Sequence, residues 1–161
     1  MSESAADRRP QFPRLLRRPL AVVPKRLHSL VAAKALGQVF AAEMAEGELD
    51  FLRGRTVRIE VEDAGVAVSL GLRGSRFIAL ATREPVDLVI RGTVYDYLLL
   101  IGGREDPDTL FFQRRLSMEG DTDLGVHLKN FLASVEMASL PVPAALRPLL
   151  DRGVDWYERL A

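Results

Sequence analysis

The chain has 161 residues, 48% of them hydrophobic, and a formal net charge of zero, which fits one globular domain with an ordinary core. Cysteine is absent, so disulfides, thiolate nucleophiles, iron–sulfur ligation and zinc–thiolate sites are excluded. The neutral total hides a split: residues 1–34 hold eight basic and two acidic side chains, whereas residues 35–161 hold fourteen basic and twenty acidic ones, the pattern of a basic segment that meets a polyanion or an acidic partner face.

Residues 1–24 form the basic segment. Pro10, Pro13, Pro19 and Pro24 stand among its arginines, and proline at that density opposes a long helix. The expectation is an extended arm with one short turn at Arg14–Arg18. Without a partner such a segment is a disordered tail. With one it is a surface anchor. Phe12, Arg14, Arg17, Arg18, Lys25 and Arg26 are the candidate membrane-contacting residues. Each basic group contributes about 1 kcal/mol at an anionic leaflet, and Phe12 adds shallow apolar insertion. No stretch reads as a spanning helix: the apolar window Leu27–Ala45 is interrupted by Lys34 and Glu43, and spanning needs about 18 nearly uncharged residues. "PLAVVP" is too short for the apolar region of a signal peptide.

A domain is expected over residues 25–161. Lys25–Glu46 reads as one helix, with Leu27, Leu30, Val31, Val39, Phe40 and Met44 at helical spacing, ended by Gly47. His28, near its start, reads as a packing or solvated residue. "TVRIEVED" alternates and predicts a strand with Val57, Ile59 and Val61 on one face. "VAVSLGL" and "RFIALA" follow after short turns, which implies an antiparallel meander. "DLVIRGT" is a fourth strand, and "RRLSMEGD" a fifth with Leu116 and Met118 facing one way. Between them, "TVYDYLLLIGG" reads as a helix capped by Thr93. "DPDTLFFQ" reads as another, with Asp106 as its cap and Pro107 in its first turn. Leu124, Leu128, Phe131, Leu132 and Val135 predict a helix from Thr122 to about Ala138. A proline linker at 141–143 leads to a last helix over about 144–159, with Leu146, Leu149, Leu150, Trp156, Tyr157 and Leu160 on a broad apolar face and Pro148 at its first turn or at a kink. The fold class is α+β, a mostly antiparallel sheet with one face covered by helices.

The chemistry is sparse. Gly-x-Ser-x-Gly and the phosphate-loop pattern are absent, and Gly71 and Gly74, the pair nearest to a dinucleotide fingerprint, lie in a hairpin. Glu119, Asp121 and Asp123 are spaced by two, and on a continuous strand they would offer three carboxylates to a hard cation, with His127 one turn on. Gly120 breaks the strand, however, and Asp121 or Thr122 then serves as an ordinary helix cap with Asp123 in the first turn. The apolar surplus is greater than the chemistry: "YLLLIGG", "LFF", "NFL" and the last helix converge on one sheet face, as a core or around an apolar pocket.

The stretch Asp108-Thr109-Leu110-Phe111-Phe112, followed by Arg114-Arg115-Leu116 and Glu119-Gly120-Asp121-Thr122, resembles the SCP2-like (sterol carrier protein 2) lipid-binding domains, and among them the bacterial UbiT family of accessory factors in oxygen-independent ubiquinone biosynthesis. The SCP2 pattern covers about residues 35–136. The resemblance implies a five-stranded, mostly antiparallel sheet covered on one face by helices around an apolar lipid cavity. It implies a noncatalytic role: binding prenylated quinone intermediates and phospholipid beside the UbiU–UbiV hydroxylase pair and other ubiquinone-biosynthesis proteins, in the cytoplasm and peripheral to the inner membrane. No cofactor, metal or nucleic-acid partner is expected. Leu98, Leu99, Phe111, Phe112, Leu116, Met118, Leu128, Phe131 and Leu132 are the candidate lipid-binding residues, chosen from the inward phase of each element. Two rival readings stand beside this one. One is a scaffold whose apolar groove receives a partner helix. The other is a metal-assisted enzyme using Glu119, Asp121, Asp123 and His127.

Overall fold

The structure, a computed structural model, describes residues 11–142, 144 and 147–160. The arm's first ten residues, Arg8, Arg9 and Pro10 among them, lie outside the described residues, as do Pro143 and Leu146 and the side chains of Leu149 and Leu160.

Five strands form one sheet in the order β3-β2-β1-β4-β5. They are β1 (Thr56–Val61), β2 (Val66–Arg73), β3 (Arg76–Leu80), β4 (Leu88–Gly92) and β5 (Ser117–Gly120). Short turns join β1 to β2 and β2 to β3, so both pairs are antiparallel, from Thr56↔Gly71 to Val61↔Val66 and from Ser69↔Leu80 to Arg73↔Arg76. β4 lies on the far side of β1 and runs parallel to it, Val57↔Leu88 to Val61↔Gly92. The crossover of residues 81–87 that makes this possible is tied down by Arg58, which donates to the carbonyls of Thr82 and Glu84 at 2.7 Å each. Asp87 closes it by accepting from the Thr56 N–H at 2.8 Å. β5 is antiparallel to β4. It ends at Gly120, where φ is +128° and a Cβ would sit 2.2 Å from the Asp87 carbonyl oxygen.

The two sheet faces differ by the period-two alternation of the strands. One carries an ionic ladder, with Arg91 between Glu60 and Glu119. The other carries Val57, Ile59, Val68, Leu70, Leu72 and Ile90 and is covered by helices.

The arm differs from its expectation. Residues Arg14–Val22 form a helix, α1, rather than an extended segment with a single turn. Pro13 sits at its N-cap and Pro24 at the N-cap of the next helix, where a missing N–H costs nothing, and only Pro19 falls inside. The arm is docked: the Phe12 N–H donates to Asp63 at 2.8 Å, and Asp63's other oxygen accepts from Val94 at 2.9 Å. Leu15, Leu16 and Val22 nevertheless remain exposed.

The expected helix Lys25–Glu46 is two helices, α2 (Lys25–Val39) and α3 (Ala41–Ala45), separated at Phe40. Phe40 leaves helical geometry, with φ −103° and ψ 24°, and its ring meets Phe131 edge-on at 5.5 Å. Thr93 and Asp106 cap α4 (Val94–Ile101) and α5 (Pro107–Phe112) with their side chains, as their sequences predict. Helix α6 (Thr122–Ser134) is shorter than expected, and a 3₁₀ turn at Met137–Ser139 follows it. Helix α7 (Arg147–Leu160) packs on α4, with Gly153 close to Leu98.

Helix α5 ends in a Schellman turn. Arg114 donates to Phe111 O at 3.0 Å and Arg115 to Leu110 O at 2.9 Å, the paired bonds of that motif. Arg114 occupies its left-handed position with φ 57°, the one positive-φ residue other than glycine among the described residues. Glycine avoids the Cβ strain there, although it adds unfolded-state entropy. Arg114→Gly is therefore expected to raise stability by about 0.5–1 kcal/mol, measured by urea denaturation. A loss of stability would show that the Arg114 side chain contributes more than its backbone strain costs.

Candidate functional site: an apolar cavity on the covered sheet face

Between the inner sheet face and the helices lies a cavity of about 600 Å³. Its floor is β1, with Val57, Ile59 and Val61 in alternation, flanked by Val68, Leu70 and Leu72 of β2, Phe77 of β3 and Ile90 of β4. Helix α2 forms one wall with Ala32, Ala35, Leu36 and Val39. Val94, Leu98 and Ile101 of α4, Phe111, Leu116, and Leu128, Phe131 and Leu132 of α6 form the others, and Leu150 of α7 reaches in. The space persists because the wall facing the floor is built partly from alanine. Two residues packed beneath larger neighbours, Ser29 and Ala33, hold α2 close to the sheet, and the Ser29 hydroxyl accepts from the Ser69 N–H at 3.2 Å.

Among the lining residues, Arg55 and Tyr97 carry polar side-chain atoms. The Tyr97 hydroxyl points out of the cavity and is shared by the carbonyls of Glu60 and Ile90 at 3.1 and 3.3 Å. Burial, aided by nearby Glu62, Glu60 and Asp96, pushes its pKa well above the usual tyrosine range. The residue thus offers a neutral ring to the cavity. Gly92, at the end of β4, makes room for Leu116: a Cβ there would lie 2.5 Å from Leu116 Cδ2.

The far wall is held from outside by Asp96, which is fully enclosed. One of its oxygens accepts from the Thr93 N–H at 3.3 Å, completing the α4 capping box, and from the Thr93 hydroxyl at 2.7 Å. The other takes Arg115 Nε at 2.8 Å and Nη2 at 2.7 Å. The Arg115 guanidinium also lies 5.3 Å from the Tyr95 ring centre, within cation–π range. One carboxylate thus fixes both the start of α4 and the corner that delivers Leu116.

Of the nine residues chosen from sequence phase, the cavity brings together Leu98, Phe111, Leu116, Leu128, Phe131 and Leu132. Leu99 is buried one position round α4, in the layer formed with Met137, Leu140 and Val154. Met118 faces the core beside Gly125. Phe112 is 89% exposed: it is the last residue of α5, one position round the helix from Phe111, which takes the inward side. The reading missed the small residues of α2, the β1 and β2 valines and Arg55. The strand alternation was a usable signal for the valines. Alanines carry little signal in an apolar pattern.

The acids at the β5–α6 corner are engaged separately. Asp121 accepts from the Leu124 N–H at 2.9 Å and meets Arg55 at 3.1 Å. The Leu124 bond first, and then the Arg55 charge, hold its carboxyl below the usual aspartate range. Glu119 pairs with Arg91. His127 Nδ1 meets the Asp123 carbonyl at 2.8 Å and its ring stacks on Phe51. Among the described residues no group of three histidines or carboxylates is placed to hold a metal ion.

The profile of the SCP-2 sterol transfer family matches residues 33–133. The ubiquinone biosynthesis accessory factor UbiT of Escherichia coli strain K12 is 34% identical over 146 residues, which cover 91% of this chain and 82% of that protein. The corresponding protein of E. coli O157:H7 matches to the same extent. Among solved structures, UbiJ-SCP2 Ubiquinone synthesis protein superposes with a TM-score of 0.53 at 15% identity, over 67% of this chain and 95% of that one, a likeness of fold.

The enclosed Asp96–Arg115 pair sets how firmly the far wall is held. Asp96→Ala leaves a largely buried guanidinium without its partner and removes half of the capping box. Stability is expected to fall by about 3–5 kcal/mol, read from the shift of the urea midpoint. A loss below about 1 kcal/mol would mean that the pair behaves as a surface bridge and does not hold the wall.

Proposed function

Because this chain belongs to the SCP-2 sterol transfer family, and within it to the relatives of the accessory factor UbiT, we propose that it is a noncatalytic lipid-binding factor for oxygen-independent ubiquinone biosynthesis. The cavity takes the apolar tail of a prenylated quinone intermediate, or a phospholipid chain, and presents the head to soluble hydroxylases, the UbiU–UbiV pair. The observation that carries this reading is the cavity itself: its volume of about 600 Å³ is typical of ligand sites, and its described wall is almost wholly apolar. At about 30 Å³ per water-sized group it holds roughly 20 methylene-sized groups, enough for one chain. Each one buried contributes about 0.8 kcal/mol.

The outer surface supports a place of action at a membrane. No described helix is long and apolar enough to cross a membrane. Leu15, Leu16 and Val22 of α1 and Leu27, Leu30 and Val31 of α2 are exposed, and Arg14, Arg17, Arg18, Lys25 and Arg26 stand among them. Leucines flanked by cations suit the interface of an anionic leaflet. This surface supports a place of action on the cytoplasmic face of the inner membrane.

Native mass spectrometry of protein purified from cells is expected to show a bound lipid, and Ala35→Phe, which fills the cavity from α2, to lose it while keeping the circular dichroism of the parent. If no lipid co-purifies and prenylated quinones do not bind in vitro, the proposal fails. If partner proteins are still captured by the filled variant, the apolar groove is not what they bind. In liposome flotation, binding to anionic vesicles is expected to drop on replacing Arg14, Arg17 and Arg18 together by glutamine, at about 1 kcal/mol for each charge. Unchanged flotation would refute the anchor.

A further inference from the structure

Helix α1 is held to the domain lightly. It has no buried residue, and its Leu15, Leu16 and Val22 are exposed. Between it and the domain lies a polar cleft of about 280 Å³, lined by Arg14 and Arg17 from the arm and by Glu62 and Asp63 from the domain. Among the described residues, two hydrogen bonds cross from the arm to the domain. The Phe12 N–H donates to one Asp63 oxygen at 2.8 Å. Arg17 Nη2 reaches the Glu62 carbonyl at 3.5 Å, the outer limit of such a contact. A second donor is available to Asp63. Tyr157 of α7 is buried, and its hydroxyl has no hydrogen-bond partner among the described residues. Its ring lies 5.5 Å from that of Tyr95, the residue after Val94, whose N–H the other Asp63 oxygen holds at 2.9 Å. Burial first, and then the Asp63 charge, push the Tyr157 pKa up to about 12.

We propose that the arm is a releasable strap and that Asp63 is its switch: one carboxylate oxygen holds the Phe12 N–H while α1 is docked, and takes the Tyr157 hydroxyl when α1 leaves. The docked position leaves a buried hydroxyl unpaired, which costs stability. Release pairs that hydroxyl and so offsets the loss of the Phe12 bond. Two positions of similar free energy are what a partner needs in order to shift the balance between them. The docked position also restrains the anchor. Arg14 and Arg17 then share the cleft with Glu62 and Asp63, and an anionic surface must compete with those acids for the two cations. That last step rests on the membrane reading above, whereas the strap itself does not.

The test is amide hydrogen exchange of α1 in the full chain without lipid, because a helix of nine residues released into water does not keep its hydrogen bonds. Phe12→Pro removes the N–H that Asp63 accepts. It is expected to lower the protection of the α1 amides about tenfold relative to Phe12→Ala, which keeps that N–H. Tyr157→Phe deletes one hydroxyl and is expected to raise the same protection about tenfold, the opposite of what loosening a packed side chain would do. Flotation with vesicles of phosphatidylglycerol and phosphatidylcholine in equal parts is expected to be strongest for Phe12→Pro and weakest for Tyr157→Phe. If Tyr157→Phe leaves the protection of α1 unchanged or lowers it, the switch is wrong. If Phe12→Pro and Phe12→Ala exchange alike, the Asp63 bond does not hold the arm and the strap is wrong. If exchange shifts as expected and flotation stays that of the parent, the strap stands and the membrane reading fails.

Discussion

Asp96 is the point on which the cavity depends. A space of this size gives its walls no packing partner on one side, so dispersion contacts there are forfeited. The walls must then be positioned by directional interactions made behind them. The Asp96 carboxylate binds Thr93 on one oxygen and Arg115 on the other, and through them it sets both α4 and the corner leading into β5. Leu98, Phe111 and Leu116 line the cavity from these two pieces. Asp63, just past β1, repeats the device beside it, where one carboxylate joins the arm to the same start of α4. Both acids are polar ties that free the apolar residues from having to touch one another.

Helix α2 shows the converse economy. Three of its large residues, Leu27, Leu30 and Val31, face outward, while Leu36 and Val39 line the cavity beside Ala32 and Ala35, and Ser29 and Ala33 are buried. An ordinary amphipathic helix keeps its outward side polar. Apolar residues on both sides give the helix two surfaces of different use. The inward side must approach the sheet closely and still leave a void, which small residues allow. The outward side keeps an apolar stripe beside Lys25 and Arg26, which only a second apolar phase would bury. A helix with this sequence therefore couples the lining of the cavity to whatever covers the outer stripe, because the two share one backbone.

The first four strands and the caps at Thr93, Asp106 and Asp121 were legible because each is encoded within a few residues, by alternation or by a side chain that reaches its own helix start; the fifth strand, expected over "RRLSMEGD", is only Ser117–Gly120 because Arg114 and Arg115 close the turn that ends α5. What was not legible depends on distant contacts. The break at Phe40 requires Phe131, ninety-one residues on, to receive its ring. The α1 helix was misread because proline density was counted without position: Pro13 and Pro24 lie at caps, where proline is harmless. Phase errors account for Leu99 and Phe112, each one residue from a lining neighbour. The outward apolar side of α2 was invisible for a different reason. Hydrophobic periodicity reports which side of a helix is apolar, not whether the apolar side is inside.

The acid-rich corner Glu119–Asp123 connects these threads. Gly120, bent against the Asp87 carbonyl, stops the strand and places Asp121 at the α6 N-terminus, where its carboxylate meets the first free N–H groups and the positive end of the helix. The same residue reaches back across the sheet to Arg55. A cap chosen for local reasons is thus also the ion-pair partner of the arginine that precedes β1. The three carboxylates are spaced by two, yet they do different things: Glu119 meets Arg91, Asp121 caps α6, and Asp123 stands exposed in the first turn of α6. The corner's charges hold backbone and arginine in position, and Leu116 before it and Leu128 after it line the cavity.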